Sequence, residues 1–383
     1  MTEYSAIDTD LYNFTTHQAI LHNCPEAEVV SRYKCRNPEA MKKVNIGVFA
    51  SMVSNEIDKF CETRFTSNDL HYLSSIPFMK PDYIAFLEDF TFKRRYINFK
   101  QTADGIDIEL KGPWVQTRLL DVPLMYIISE AYSNMVGMSL DMKLEGLKKL
   151  KKECENVDFL FAEFGTRRRA SYDYHYIVLE TLKRLVPDNL VGTSNVLMSK
   201  LFNLKPIGTM DHSWLQAFQA LVRVSDSQKE ALQTWANEYR GNLGIALSDV
   251  VGFDAFLRDF DAYFAKLFDG CRHDSGNPVI WVEKLIKHYK SLGIDPTTKA
   301  AVFSDGLDFV TANAIEEHVD GRIKSSYGIG TWLTNNLGFK PLQIVIKMVL
   351  CNGRPVAKIS DSPGKGMCED DSYLTYLKET FQI

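Results

Sequence analysis

The chain has 383 residues, long enough for two domains with a large core, and 45% of them are hydrophobic and 12% aromatic, which excludes a disordered chain. Lysine and arginine number 44 against 49 aspartates and glutamates, a formal net charge of −5, and this mildly acidic balance argues against a nucleic-acid binder. Seven scattered cysteines without CxxC spacing fit free thiols in a reducing cytoplasm better than disulfides or a zinc site.

The opening MTEYSAIDTDLYNF lacks a basic stretch followed by an apolar core, so no signal peptide is expected. Thr9 or Asp10 caps a helix running from Leu11, with Tyr12 in its first turn, an ordinary surface or interface aromatic by default. Residues 27–36 alternate as a strand, 53–73 form a helix, and Pro77 and Pro81 interrupt the chain after that helix. Residues 106–120 predict strands around the turn Lys111-Gly112-Pro113, so the first domain is α+β. A long apolar helix is expected from Pro123 to Leu140, then a Lys-rich one from Leu144 to Cys154. No apolar run nears the roughly 18 residues of a membrane span.

Beyond residue 156 a unit recurs: a short apolar run, a polar or glycine-rich tip, then a helical stretch. The units are VDFLFAEFGTRRR (157–169), LVGTSN (190–195), PIGTMDH (206–212), GIALSDV (244–250), the segment ending CRHDSG (271–276), AAVFSDG (300–306) and RIKSSYGIGT (322–331), with LQIVIKMVL (342–350) after them. Strands alternating with helices imply parallel βαβ units, here seven or eight of them. The expected fold is therefore α/β, an irregular TIM-like barrel over 122–344, with an α+β domain over 1–121 to which the tail from about 345 to 383 returns.

Barrel chemistry sits at the carboxyl ends of the strands, and those tips carry arginines, carboxylates and hydroxyls. Arg167, Arg168 and Arg169 suit carboxylate or phosphate, one or two of them facing the mouth. Arg272, Asp274, Ser275 and Gly276 read either as a ribose or metal-phosphate site or as a helix cap, and Ser304-Asp305-Gly306 carries the same ambiguity. Gly328-Ile329-Gly330-Thr331 before a helical stretch resembles a phosphate cradle. His212 lies just past a short strand (206–209) and reads as a core residue, a general acid or base, or a phosphoryl-accepting nucleophile. GxGxxG, GxxxxGK[ST] and GxSxG are absent. The residues alone point to an enzyme taking an anionic small substrate, a phosphorylated sugar, at a barrel mouth.

The motifs TDLY (9–12), FGTRRR (164–169), GTSN (192–195), GTMDHSW (208–214), DSG (274–276), SDGL (304–307), GRIKSSYGIGT (321–331) and IVIKMVLCNGRPVAKISDSPGK (344–365) run over nearly the whole chain. In this order they resemble the ATP-coupled nicotinate phosphoribosyltransferase family. That resemblance implies formation of nicotinate mononucleotide and pyrophosphate from nicotinate and 5-phosphoribosyl 1-diphosphate, in NAD biosynthesis. It implies ATP as co-substrate, Mg²⁺ carried on substrate phosphates, and a homodimer in the cytoplasm, with neither nucleic acid nor membrane as partner. His212 is then the residue phosphorylated by ATP, and Asp274 joins it in catalysis. Tyr12 stacks on the pyridine ring, Arg167 and Arg272 take carboxylate and phosphate, and Thr209 lies close to nicotinate. Thr193 also belongs to the substrate site, Asp274, Ser275 and Ser304 line the ribose or pyrophosphate region, and Gly330 and Thr331 hold the 5-phosphate. Met210-Asp211 stands where the family carries Gln-Ala, so Asp211 either tunes the imidazole or faces solvent. Nicotinamide or quinolinate as substrate, and a catalytically inactive binding homologue, are the competing readings.

Overall fold

Two periodicities divide the chain between two sheets, and the computed structural model describes residues 4–362 and 364–383. Met1–Glu3 of the opening segment and Pro363 of the last motif therefore lie outside the described residues.

The helix Leu11–Asn23 begins one residue after Asp10, as its capping residues predict. Strand β1 (Glu28–Cys35) comes next. The helix Ile46–Cys61 buries Phe49, Val53, Ile57 and Phe60 at spacings of three and four, and the Asn45 side chain caps it by accepting from Val48 N–H. The single helix expected over 53–73 is instead two. Thr66 and Asp69 form a reciprocal capping box that starts a new helix, Ser67–Ser74, and a cap outcompetes continuation of the first.

Strands β2 (Ile97–Gln101) and β3 (Ile106–Pro113) pair antiparallel. The strand expected after Lys111-Gly112-Pro113 is helical: Trp114–Thr117 turns directly into Arg118–Leu120 and then the helix Asp121–Met135. Packing decides this, since Trp114 is buried with its ring 6.2 Å from that of Trp214. The Lys-rich helix starts earlier than expected, at Leu140, because Ser139 accepts from Met142 N–H.

Seven further strand segments were expected at parallel pitch. Strands β4 (Phe161–Glu163), β5 (Leu190–Thr193), β6 (Ile245–Leu247), β7 (Gly270–His273), β8 (Ala300–Phe303) and β9 (Lys324–Ile329) form one parallel sheet in the order β5-β4-β9-β8-β7-β6. The segment around Pro206 is not a strand but a single parallel bridge to Thr193, flanked by Thr193 N–H to Lys205 O (3.1 Å) and Ile207 N–H to Thr193 O (2.8 Å). Among the described residues no pairing joins that segment to β6, so the sheet does not close into the expected barrel. Pro206 has no N–H to donate, and β6 spans only three residues, Ile245–Leu247. The order is that of a ring opened at one seam.

Strand β10 (Ile344–Cys351) leaves this sheet and lies antiparallel to β1, with Arg32 opposite Lys347, and β11 (Arg354–Pro355) completes a second sheet, β11-β10-β1-β3-β2. The chain then runs back over the parallel sheet, where Ile359 N–H donates to Val250 O (2.8 Å), and ends in the helix Asp371–Phe381. One apolar core lies between the helix Ile46–Cys61, the antiparallel sheet and Asp121–Met135; the other fills the parallel sheet and its helices around Phe161, Phe303, Tyr327 and Trp214. Among the described residues no helix is long and apolar enough to cross a membrane.

Candidate active site

The carboxyl ends of the parallel strands face one mouth. There the β4–helix turn delivers Arg167, the Pro206 segment delivers His212, β6 delivers Asp249, β7 delivers Arg272 and Asp274, and β8 delivers Ser304.

His212 is the first residue of the helix His212–Leu221. Its Nε2 lies 2.9 Å from Asp249 Oδ1, 2.6 Å from Lys358 Nζ and 3.3 Å from Asp274 Oδ2, while Nδ1 has no hydrogen bond to a described residue. Burial and then the Lys358 ammonium push the imidazole below the ordinary histidine range, which favours its neutral form, while Asp249 and Asp274 pull the other way. Burial acts to raise Asp249, but Lys358, 2.6 Å from its Oδ2, and His212 together more than offset this and hold the carboxyl well below the usual carboxylate range. Ser275 Oγ donates to Asp249 Oδ2 (2.6 Å), and Ser304 Oγ donates to Asp274 Oδ1 (3.0 Å). These two hydroxyls thus orient the carboxylates; Ser275 is itself buried.

Asp211 makes no hydrogen bond to the imidazole and is largely buried, its side chain 14% exposed. Its Oδ1 accepts from Trp214 N–H (3.2 Å) as the helix cap, and its Oδ2 pairs with Arg118 (3.0 Å).

The three adjacent arginines have three different fates. Arg169 is buried in a bidentate pair with Asp8 (2.8 and 2.7 Å) and a bond to Glu130 (2.6 Å). Arg168 donates twice to the Ile344 carbonyl (3.0 and 2.9 Å), and burial with the neighbouring Arg167 and Arg36 pushes it down to about 9. Arg167 makes no hydrogen bond or ion pair to any described residue; it is exposed, and Tyr12, Asp10, Asp274 and Asp121 lie near enough to act on its charge.

Tyr12 joins Arg167 from the first helix, and Thr209 is brought beside it. A side chain at Gly208 would meet Tyr12 N at 3.0 Å, and the Thr209 carbonyl accepts from Thr15 Oγ1 (2.7 Å). Gly330 and Thr331 also reach the mouth: the short helix Thr331–Thr334 packs on the Arg167 turn, and Thr334 Oγ1 donates to Gly165 O (2.9 Å). Thr193 does not join them as a ligand. It is fully buried, and its hydroxyl donates to Glu163 Oε2 (2.6 Å), in contact with the buried His175.

Sequence reasoning missed much of the cationic side. Lys358 belongs to the last family motif, yet nothing in its spacing places it against a histidine 146 positions away. Arg36 and Lys347 come from the antiparallel sheet, and burial, followed by Lys358 and Arg36, pushes Lys347 down to about 7. Lys365 pairs with Asp305. The Nε groups of Arg36 and Arg272 are buried with no partner among the described residues.

His212, Asp249 and Asp274 bring ligand atoms within 4.8 Å of one another, as a metal site would. They do not fit a protein-held Mg²⁺. That ion wants oxygen ligands, and the Lys358 ammonium already satisfies the Asp249 carboxylate.

The family model described as the nicotinate phosphoribosyltransferase N-terminal domain matches residues 7–129, and that of the nicotinate phosphoribosyltransferase family matches 159–383. The chain is 49% identical to a nicotinate phosphoribosyltransferase of Xylella fastidiosa, covering 99% of this chain and 98% of the relative, and 46% identical to one of Cupriavidus necator, with 99% and 98% covered. Among solved structures, nicotinate phosphoribosyltransferase from Vibrio cholerae superimposes with a TM-score of 0.94 at 39% identity, covering 100% of this chain and 95% of that one. The enzyme from Porphyromonas gingivalis gives 0.91 at 33% identity over 99% of both. With both domains matched and identities near one half over the full length, the chain belongs to the nicotinate phosphoribosyltransferase family of enzymes.

Proposed function

We propose that this enzyme transfers the phosphoribosyl group of 5-phosphoribosyl 1-diphosphate to nicotinate and couples the transfer to ATP through phosphorylation of His212. The observation that carries this reading is an imidazole pushed toward its neutral form, with an unbonded Nδ1 and an Nε2–H that donates to Asp249 Oδ1 (2.9 Å), itself paired with Lys358 through Oδ2, at a cationic mouth. Such a nitrogen is a nucleophile: Nδ1 forms the bond to the γ-phosphorus of ATP, the bond from that phosphorus to the β,γ-bridging oxygen breaks, and ADP leaves. Water later takes the phosphoryl group and orthophosphate departs.

In the transfer itself the pyridine nitrogen attacks the anomeric carbon, the bond from that carbon to the diphosphate oxygen breaks, and pyrophosphate leaves. No base is needed. The protein's task is to stabilise charge where it develops, and Arg36, Arg272 and Lys347 present donors on that side, two of them orphaned buried guanidinium nitrogens. Tyr12 offers a ring face for the pyridine, and Thr209 lies against it. Asp274, Ser275 and Ser304 border the ribose and diphosphate, and Gly330 and Thr331 border the 5-phosphate. Mg²⁺ in this reading arrives on the diphosphate, whose charge it screens. The seven free cysteines accord with a reducing compartment such as the cytoplasm.

The unpaired Arg167 favours nicotinate over nicotinamide, because a guanidinium gains a charge-assisted bond from a carboxylate that an amide does not supply. Incubation with γ-labelled ATP is expected to give an acid-labile, base-stable label that His212→Asn removes. A label surviving that substitution refutes the phosphohistidine, and a preference for nicotinamide in a competition assay refutes the substrate assignment.

A further inference from the structure

Arg118 is buried, its side chain only 3% exposed, and sits where the two halves of the molecule meet. Its NH1 pairs with Asp121 (2.7 Å), and its NH2 reaches Asn13 Oδ1 (2.6 Å) and Asp211 Oδ2 (3.0 Å). The guanidinium carbon lies 5.3 Å from the centroid of the Tyr12 ring. Its Nε is buried and unbonded among the described residues, so position is set by these two terminal nitrogens.

Asp211 is equally committed. It immediately precedes His212, accepts from Trp214 N–H (3.2 Å) as the cap of the His212 helix, and accepts from Ser213 Oγ (2.9 Å). One rigid fork therefore touches the ring on the pyridine side of the mouth and the residue that fixes the entry of the phosphoryl-accepting histidine. Asn13 is the next residue after Tyr12, so the same guanidinium also fixes the first turn from which Tyr12 projects.

We propose that Arg118 is a positioning residue that ties the Tyr12 ring to His212 through Asp211, so that nicotinate affinity and phosphorylation of His212 depend on one ion pair. The inference rests on the phosphoribosyl-transfer reading above. A lysine at 118 has a single ammonium, and that point charge does not bond Asn13, Asp121 and Asp211 in the geometry of a planar fork. An asparagine at 211 keeps a good helix cap and removes the charge, so it isolates the pair from the capping role.

The test compares wild type, Arg118→Lys and Asp211→Asn in full-length protein. The readouts are KM for nicotinate, KM for 5-phosphoribosyl 1-diphosphate, the initial rate of γ-phosphoryl labelling, and the thermal midpoint. Expected for Asp211→Asn is a rise of about ten-fold in nicotinate KM and a similar fall in labelling rate, with the other KM within two-fold and the midpoint lowered by only about 1–3 °C, because Arg118 keeps Asp121 and Asn13; Arg118→Lys moves the same two quantities further. Wild-type values of nicotinate KM and labelling rate in Asp211→Asn overturn the proposal. So does an even loss across both KM values, labelling and midpoint, which marks a plain scaffold residue. Absence of label or product in the wild-type control is a different failure, that of the functional reading itself, and the inference falls with it.

Discussion

Removing Lys358 is the sharpest perturbation of the mouth. Its side chain is 3% exposed and bonded to an Asp249 that is 2% exposed, at 2.6 Å. Lys358→Met keeps most of the stem volume and deletes the charge. Asp249 then remains buried with one hydroxyl donor, Ser275, and a neutral imidazole. Breaking a buried pair from one side costs about 3–5 kcal/mol, because the other charge stays desolvated. Unfolding entropy near 2.1 cal/mol/K per residue gives about 0.8 kcal/mol/K for a chain of this length, so the thermal midpoint should fall by about 4–6 °C. Adding Asn at 249 removes the stranded charge, and Lys358→Met/Asp249→Asn should regain at least half of that loss.

The same deletion has a catalytic signature. Lys358 is among the causes that keep His212 below the ordinary histidine range, after burial, and Asp249 and Asp274 pull the other way. Without the ammonium the imidazole protonates more readily, and the acid limb of the labelling-versus-pH profile moves to higher pH. Calorimetry and labelling between pH 5 and 8 read both effects. A midpoint within about 1 °C of wild type, or an unmoved acid limb, refutes the reasoning.

Asp249→Asn alone replaces the charged acceptor facing His212 Nε2 with a neutral amide, and labelling should fall by roughly 10²–10⁴-fold, as for other carboxylates that orient a histidine. Gly270 lies opposite Ala300 in the β7–β8 pair, and a Cβ there would strike the Ala300 carbonyl oxygen; Gly270→Ala should cost about 1–3 kcal/mol in urea unfolding and displace Arg272 and Asp274 at the end of β7. His17 is fully buried between Tyr83 OH and Val115 O, and burial pushes it down to about 3. Between that value and the ordinary 6.5 the unfolded chain binds the extra proton, so stability falls as pH drops through this window, by at most about 1.4 kcal/mol per pH unit. His17→Gln should flatten that slope by close to one proton in urea unfolding from pH 4 to 7; an unchanged slope refutes the assignment.

Much of the site was legible because its residues sit at strand ends, where an apolar run stops at a polar tip. Arg167, His212, Arg272, Asp274 and Ser304 all obey that rule, and the structure gathers them. Thr193 obeys it too, yet it is fully buried and its hydroxyl is spent on the buried Glu163 of the neighbouring strand β4.

The sequence by itself determined the alternation of short strands and helices, the chemistry available at their tips, and the family motifs, since each is a property of local order along the chain. Tertiary structure alone decided that the ring stays open beside Pro206, that one arginine of three faces the mouth, and that Lys358 and Asp249 flank His212. Those outcomes depend on contacts between residues 37 and 146 positions apart. No local pattern encodes such contacts, because burial and charge pairing are settled only when the two sheets and the returning tail pack together.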